Sequence, residues 1–206
     1  MFTGIVRGTF TVVAAERTPD LLRYEVVLPP ELREGLEVGA SVSIDGVCQT
    51  VTAVEGARVG FDAIAETLHL TTLGRLAEGV RVTVERSARI GDEIGGHDVS
   101  GHIIGTGEVL ERRREGDVCD LRVGVPAGWM RYITRKGFIA VDGSSLTVGE
   151  RNDAGWFWLH LIPETLRLTN LGRKDRGERV NIELDARTVA IVDTVERLLK
   201  EHDDGG

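Results

Sequence analysis

Cysteine is scarce in this sequence. Its 206 residues include two cysteines, Cys48 and Cys119, too few for the disulfide framework that stabilises many small secreted domains. Because a disulfide framework is lacking, we expect a protein of a reducing compartment, the cytoplasm. The Cys48 thiol either acts as a nucleophile in its thiolate form or packs as a small buried residue.

Long apolar runs are also lacking. No window approaches the roughly 18 consecutive apolar residues that a membrane-spanning helix needs. The apolar opening segment, residues 1–13, has no basic residues ahead of it and is interrupted by Arg7. It predicts a first strand rather than a signal peptide, and we expect no membrane partner.

Positive charge and aromatic side chains are sparse. The formal net charge is -8, and aromatic residues make up 5% of the chain. Nucleic acid attracts clustered positive charge and exposed aromatic platforms, so an RNA- or oligosaccharide-binding module has little support. The dense basic run at residues 112–114 is enclosed by Glu111 and Glu115 and predicts a solvated hairpin tip.

Clusters of metal-ligating residues are missing as well. His97 and His102 share one segment, but no further Cys or His completes a zinc-like set. The glycine-rich joint around them, residues 87–101, lacks both the lysine of a P-loop and the GxGxxG spacing. We expect no metal.

What the sequence does contain is an internal duplication. ETLRLTNLG at residues 164–172 repeats ETLHLTTLG at residues 66–74, with seven of nine residues identical. Other echoes lie 97 or 98 residues apart, such as the turns at Asp45 and Asp142. The change of spacing from 97 to 98 residues indicates one inserted residue in the second copy. It predicts a longer hairpin loop at residues 151–155. Two copies of this size predict two globular domains.

Short alternating runs rich in Val, Thr and Ile predict strands. A closed barrel removes the exposed edges of so many short strands, although a sandwich fits the same pattern. We predict an all-β chain with two tandem six-stranded barrels, residues 1–97 and 98–185. The runs of the first copy are residues 5–13, 22–28, 40–44, 47–54, 58–64 and 81–85.

The last part of the chain has no counterpart in the first copy. Residues 186–201 follow a candidate N-cap at Asp185 and carry an apolar stripe that includes Val195 and Leu199, which predicts an amphipathic helix. Such a helix packs on its own barrel or against its copies in an oligomer. We favour the oligomer and assign residues 186–206 to an oligomerisation helix and tail.

Polar residues recur at corresponding strand ends of both copies, which suits the binding of a flat heterocycle with a polyol tail. The copies differ in detail: Ser145 stands where the first has Cys48, and His102 where the first has Ile5. This difference indicates unlike sites. His102 either moves protons or is structural, and Lys136 either anchors the ligand or is a solvated lysine.

Several motifs together resemble one enzyme family. The opening MFTGIV, the joint GDEIGGHDVSGHI, the turns IDGVCQTV and VDGSSLTV, and the doubled ETLxLTxLG are similar to those of riboflavin synthase of the alpha type, over essentially the whole chain. The resemblance implies Greek-key barrels and a C-terminal helix through which three chains associate. It implies active sites between the N-terminal barrel of one chain and the C-terminal barrel of its neighbour. No external cofactor is implied, and an association with a lumazine synthase shell is left open.

The implied reaction is a transferase dismutation of two molecules of 6,7-dimethyl-8-ribityllumazine. One donates a four-carbon unit to the other, giving riboflavin and 5-amino-6-(D-ribitylamino)uracil. Two copies of one substrate suit two related barrels with unlike sites, and their mutual orientation lowers the barrier.

The resemblance also implies roles for individual residues. His102 relays the proton from the methyl group at C7 of one lumazine. Ser145 or Cys48 assists addition at C7 of the other. Asp142 orients Ser145 and Thr147. The implied lumazine contacts are Gly4, Ile5, Val6, Cys48, Gln49, Thr50, Asp62, Ala63, Ile64, Ala65, Glu66, Thr67, Gly101, His102, Ile103, Lys136, Ser145, Leu146, Thr147, His160, Leu161, Ile162, Pro163, Glu164 and Thr165.

A non-catalytic lumazine or flavin carrier of the same fold is the alternative. In a carrier we expect the catalytic turn and histidine to be eroded, whereas Cys48, His102 and Ser145 are present. Gln49 replaces the leucine that the family pattern leads us to expect, which concerns only the wall of the first site.

Overall fold

The first six strands close into a barrel. The computed structural model describes residues 1–204, so the end of the expected tail, residues 205–206, lies outside them. All neighbouring strands are antiparallel, in the order β1-β2-β5-β4-β3-β6. The strands are β1 (Gly8–Arg17), β2 (Leu21–Val27), β3 (Ser41–Ile44), β4 (Val47–Glu55), β5 (Arg58–Ile64) and β6 (Arg81–Arg86).

The last six strands repeat this arrangement. Their order, β10-β11-β8-β7-β12-β9, is the same cyclic order as in the first barrel. The prediction of two six-stranded barrels is confirmed, and the sandwich is excluded for residues 1–204. The strands are β7 (Gly105–Glu115), β8 (Val118–Gly124), β9 (Phe138–Val141), β10 (Ser144–Asn152), β11 (Trp156–Leu161) and β12 (Arg179–Leu184).

Each barrel buries its own apolar core. In the first, Val12, Tyr24 and Phe61 are at most 1% exposed, and in the second Leu121 and Phe157 are fully buried. Tyr24 and Leu121 each stand between two charged residues of their strands, since successive side chains of a strand point to opposite faces.

The predicted strand bounds agree closely except at the first strand. It was predicted at residues 5–13, but β1 spans Gly8–Arg17, because the chain before it leaves the ladder to bond with the Glu85 side chain and with Val99. The longer hairpin is confirmed: residues 153–155 join β10 to β11, one residue more than the connection between β4 and β5. The basic run at residues 112–114 lies on β7, so its placement at the hairpin tip, which is residues 116–117, was wrong.

Four α-helices accompany the barrels: α1 (Pro30–Arg33), α2 (Ala65–Leu70), α3 (Pro163–Leu168) and α4 (Ala186–Asp204). The predicted cap of α4 is confirmed, since the N–H of Thr188 donates to Oδ2 of Asp185 over 2.8 Å. The apolar stripe stays open, with Ile191 64% and Leu199 60% exposed. Among residues 1–204, no helix is both long and apolar enough for a membrane crossing.

The barrels meet at a pseudo-symmetric junction. Gly46 and Gly143 approach so closely that a Cβ on Gly46 would lie 2.5 Å from the backbone nitrogen of Gly143. Both glycines have positive φ, which favours glycine. Across the junction Thr83 Oγ1 donates to the carbonyl of Asp142 over 2.8 Å, and Asn181 Nδ2 donates to the carbonyl of Asp45 over 2.7 Å.

Candidate active sites

The segments that precede β1 and β7 cross to the opposite barrel. Phe2 and Val99 form an isolated antiparallel bridge, with the N–H of Phe2 donating to the carbonyl of Val99 over 2.6 Å. Ile103 packs in the core of the first barrel, although its sequence belongs to the second copy. Each crossing segment therefore lies against a turn of the other copy.

Two buried glutamates fix the crossing segments. Glu85 accepts hydrogen bonds from the N–H groups of Thr3 (2.7 Å) and Gly4 (3.0 Å). Glu183 accepts the equivalent bonds from Ser100 (2.6 Å) and Gly101 (3.0 Å). Each glutamate is the next-to-last residue of a barrel strand, so a carboxylate near the end of the last strand holds the start of its own copy in place.

The crossing brings each predicted reactive residue against a glycine of the other copy. The N–H of Cys48 donates to the carbonyl of Gly101 over 2.9 Å, and the N–H of Ser145 donates to the carbonyl of Gly4 over 2.8 Å. A Cβ on Gly4 would lie 2.5 Å from Cβ of Ser145, and one on Gly101 would lie 2.6 Å from Cβ of Cys48. Only glycine permits this approach.

Ser145 is paired with a histidine that the sequence reasoning did not assign to it. Nδ1 of His97 lies 2.6 Å from Oγ of Ser145, and the His97 ring stacks on Phe138 with centroids 5.2 Å apart. Burial lowers the pKa of His97, against the attraction of Asp185 and Asp98. A neutral ring with its proton on Nε2 accepts the hydroxyl proton of Ser145 at Nδ1. His97 had been considered only as a metal ligand.

His102 occupies a different place. It follows Gly101, which contacts Cys48 of the first barrel, and its side chain is exposed. Its N–H donates to Oγ of Ser100 over 3.1 Å, and within residues 1–204 its ring has no hydrogen-bond partner. His97 thus contacts Ser145 directly, whereas His102 is next in sequence to the glycine that contacts Cys48.

Asp142 does not make the contacts that were expected of it. Its Oδ1 accepts from the N–H of Asn181 over 2.7 Å, and its Oδ2 lies 3.8 Å from Nζ of Lys174. No bond joins it to Ser145 or Thr147 in the described part of the chain, because the carboxylate points into the junction between the barrels and is 1% exposed. The prediction that Asp142 orients those two residues was wrong.

Burial raises the pKa of Asp142 to about 7, although Lys174 opposes the shift. Burial also raises the pKa of Asp45, the equivalent residue of the first copy, against hydrogen bonds from Thr83 and the charge of Lys174. Lys174 is thus shared by two buried carboxyl groups, one from each copy.

Gln49 is directed away from the expected site. Its side chain is 5% exposed, its Oε1 accepts from the hydroxyl of Tyr24 over 3.1 Å and its Nε2 donates to the carbonyl of Cys48 over 2.9 Å. A polar pair inside the barrel thus replaces the apolar packing of the expected leucine. A ligand contact by the Gln49 side chain has no support.

A cavity of about 390 Å³ opens beside Ser145 on the second barrel. Apart from Val148 and Gly149, its wall consists of predicted contact residues. Leu161 lies in the core, 1% exposed, while Pro163 and Glu164 begin α3 on the surface. The predicted residues in the wall are Lys136, Ser145, Leu146, Thr147, His160, Ile162 and Thr165.

The predicted residues of the first barrel occupy equivalent strand ends. Thr50 is exposed, Ile64 is 57% exposed and Asp62 lies 3.7 Å from Arg23. Ala63 is buried in the core. Val6, in the crossing segment, is also buried, whereas the adjacent Ile5 is 38% exposed. The remaining predicted residues, Ala65, Glu66 and Thr67, lie in the first turn of α2.

No group of three or more His, Cys, Asp or Glu side chains within residues 1–204 is arranged to hold a metal ion. The side chains of Cys48, Ser145, His97 and His102 place a thiol, a hydroxyl and two imidazoles at or next to the two centres.

The chain resembles known proteins along nearly its whole length. The family of the lumazine binding domain matches it twice, at residues 3–87 and 100–185. Riboflavin synthase of Escherichia coli (strain K12) is 50% identical over 200 residues, covering 97% of this chain and 93% of the relative.

Two solved structures of LumP have the same fold. LumP complexed with riboflavin superposes with a TM-score of 0.83 at 26% identity, covering 90% of this chain and 100% of LumP. LumP complexed with 6,7-dimethyl-8-(1'-D-ribityl) lumazine superposes with a TM-score of 0.81 at 25% identity, covering 90% of this chain and 99% of LumP. With both lumazine binding domains matched and half of its residues shared with a full-length enzyme, the chain belongs to the riboflavin synthase family.

Proposed function

We propose that the two centres at Cys48 and Ser145 perform the two halves of the lumazine dismutation that makes riboflavin. The observation that supports this is the contact of each centre with a crossing segment of the other copy. The two centres share one backbone frame but offer different groups, a thiol with His102 nearby and a hydroxyl with His97. Donor and acceptor molecules of one substrate need such unlike surroundings.

At the second-barrel centre, Ser145 and His97 act together. A neutral His97 takes the hydroxyl proton at Nδ1 as Ser145 assists addition at C7 of the acceptor lumazine. Nε2 of His97 is buried and has no hydrogen-bond partner among residues 1–204, which leaves one donor for the ligand. The cavity wall supplies apolar surface from Leu146 and Ile162 for the ring.

At the first-barrel centre, His102 and Cys48 serve the donor lumazine. The exposed His102 ring accepts the proton that leaves the methyl group at C7 of the donor. The four-carbon unit then passes to the acceptor, which becomes riboflavin, and the remainder leaves as 5-amino-6-(D-ribitylamino)uracil. Thr50 and Asp62, at the nearby strand ends, bind the polyol tail.

The donor and acceptor barrels belong to different chains of a homotrimer. The open stripe on α4 supports association, because an isolated helix does not normally leave Ile191, Leu198 and Leu199 exposed to water. The domains are residues 1–97, 98–185 and 186–206, and the two free thiols suit a cytoplasmic location.

The reaction is tested with the lumazine as sole substrate. Purified protein should consume two lumazine molecules for each riboflavin formed, followed by absorbance, with release of the pyrimidine. Ser145→Ala and Cys48→Ser should lower turnover while lumazine binding, measured by fluorescence, persists. A preparation that binds the dye and leaves it unchanged would identify a carrier, and full activity of both variants would refute the assignment of the centres.

A further inference from the structure

Equivalent surfaces of the two barrels carry opposite charges. On the first barrel, strand pairing places Glu16 opposite Arg23 and Arg23 opposite Asp62. We call Glu16, Arg23 and Asp62 the first row. It carries two negative charges and one positive charge, and Arg23 and Asp62 lie 3.7 Å apart.

The same strand pairing on the second barrel gives an inverted row. Arg113 lies opposite Asp120, and Asp120 opposite His160. We call Arg113, Asp120 and His160 the second row. Nδ1 of His160 lies 2.7 Å from Oδ1 of Asp120, and the Arg113 guanidinium lies over the Trp158 ring at 4.6 Å. The two acidic positions of the first row are an arginine and a histidine in the second row, and its arginine position is an aspartate.

A strained lysine adds to the positive charge of the second row. Lys136 has a φ of 66°, a left-handed conformation that is unfavourable for a residue with a Cβ. Its equivalent in the first copy is Gly39, with a φ of 90°, and both N–H groups donate to equivalent carbonyls on the fourth strand of their barrels. Arg135 likewise replaces Val38. Two cations therefore stand where the first barrel has none, one of them despite unfavourable backbone geometry.

The second row adjoins the proposed substrate cavity. Arg113, Arg135, Asp120 and Trp158 line a cavity of about 250 Å³. Three residues, Lys136, Gly149 and His160, line both this cavity and the one beside Ser145. Glycine at position 149 leaves space where the two cavities meet, because a Cβ there would lie 2.7 Å from Nε2 of His160.

Two carboxylates oppose the positive charge inside this cavity. Asp120 is engaged by His160, while Glu150 is the other acidic residue in the wall. Glu111 lies 2.5 Å from Nε of Arg113, outside the wall. Because Lys136 and Arg135 have no ion-pair partner among residues 1–204, two cations stay available to a ligand.

We propose that the second barrel has a phosphate subsite, formed by Arg113, Arg135 and Lys136, that takes the terminal phosphate monoester of a phosphorylated ribityl flavin such as FMN. The proposal rests on the proposed function, in that the ring of the flavin occupies the cavity beside Ser145. The first row, being acidic, repels the same phosphate. A phosphorylated product would then occupy the acceptor barrel and inhibit the enzyme.

The test compares FMN with riboflavin, which differ by the phosphate alone. Both are titrated by fluorescence in a phosphate-free buffer of low ionic strength. Charge-assisted hydrogen bonds predict that FMN binds about tenfold more tightly than riboflavin. The whole chain has a net charge of -8, which by itself disfavours FMN, so a preference for FMN requires a local cationic site.

The variant Arg113→Glu with Arg135→Val gives the second barrel the residues of the first. It should lose the preference for FMN and keep its affinity for riboflavin, which also shows that it is folded. Arg114→Glu, the same charge change one residue along β7, should keep the preference. Inorganic phosphate should compete with FMN and leave riboflavin binding unchanged.

Equal or weaker binding of FMN by the native chain would overturn the proposal, as would a preference that survives in the double variant. Either result leaves the proposed function intact while riboflavin and lumazine still bind and riboflavin is made. Failure to bind any of these ligands would instead refute the proposed function, and the subsite with it.

Discussion

The buried carboxyl group at the junction of the barrels predicts an unusual dependence of stability on pH. Burial raises the pKa of Asp142 to about 7 in the folded chain, against 3.8 as its ordinary value. The folded state therefore binds the proton more tightly than the unfolded state. It follows that the contribution of Asp142 to the free energy of unfolding falls as pH rises from about 4 to about 7, and is constant above.

The size of the effect follows from the shift. At about 1.36 kcal/mol per pKa unit, raising the pH from about 5 to about 8 should lower the free energy of unfolding of the native chain by roughly 2–3 kcal/mol. Lys174 stays charged in this range, because the carboxylates of Asp142, Asp45 and Glu178 raise its pKa against the effect of burial. The charge of Lys174 therefore adds no pH dependence of its own to the free energy of unfolding between pH 5 and pH 8.

The substitution Asp142→Asn removes the contribution of Asp142 to the pH dependence of stability. The amide oxygen can still accept from the N–H of Asn181, now 2.7 Å from Oδ1, but the side chain no longer titrates. Glu85, whose pKa burial also raises, acts in both proteins and cancels in the difference between native chain and variant. The charge of Asp45 helps to raise the pKa of Asp142, so the difference reports the titration of this interacting pair.

The assay is urea unfolding at several pH values from 5 to 8, at fixed ionic strength and protein concentration, followed by tryptophan fluorescence. All three tryptophans belong to the second copy. The stability of the variant relative to the native chain should rise by roughly 2–3 kcal/mol from pH 5 to pH 8. Asp117→Asn, at the exposed hairpin tip, should change nothing. Parallel curves for the native chain and Asp142→Asn would refute the reasoning.

Three further changes test other parts of the molecule. His97→Gln should lower kcat by roughly 100-fold or more with lumazine affinity unchanged, because it removes the proposed base; steady-state absorbance assays check this, and full turnover would contradict it. Gly101→Ala should lower the melting temperature more than Gly56→Ala, since both have positive φ but only the first meets neighbouring atoms; equal losses would exclude the close approach as the cause. Leu198→Glu should dissociate the oligomer in sedimentation, whereas Lys200→Glu, on the opposite side of the helix, should not.

Much of the fold could be predicted because the duplication presents each strand pattern twice. Local alternation and turn residues place β2 to β6 within about one or two residues. The first strand was misplaced because Ile5 and Val6 continue the β-forming composition of the strand, while the nearby Phe2 pairs with Val99, from the other copy. A period in the sequence shows which segments are equivalent, and it does not show which segments cross.

The same limit explains what was missed at the candidate site. Ser145 and Cys48 are recognisable as unlike residues at equivalent turns, but the His97 contact joins residues 48 apart through the crossing segments. The signal in the sequence was the presence of two histidines in one glycine-rich joint, and we considered both together only as metal ligands. Asp142 was misjudged because a carboxylate close in sequence to Ser145 indicates a role in catalysis. Its burial between the two barrels depends on how the barrels pack, which the sequence pattern does not show.

The duplication and the differences between the copies have separate physical roles. The glutamates at the strand ends, the glycines at the crossing and the paired Asp-Gly turns are alike in both copies, and they fix two identical backbone frames. The copies differ at side chains that this frame does not use, such as Cys48 against Ser145 and Gly39 against Lys136. A chain built this way changes the chemistry of one centre without moving the backbone of either. Donor and acceptor surroundings can thus diverge while the geometry that brings two substrate molecules together is retained.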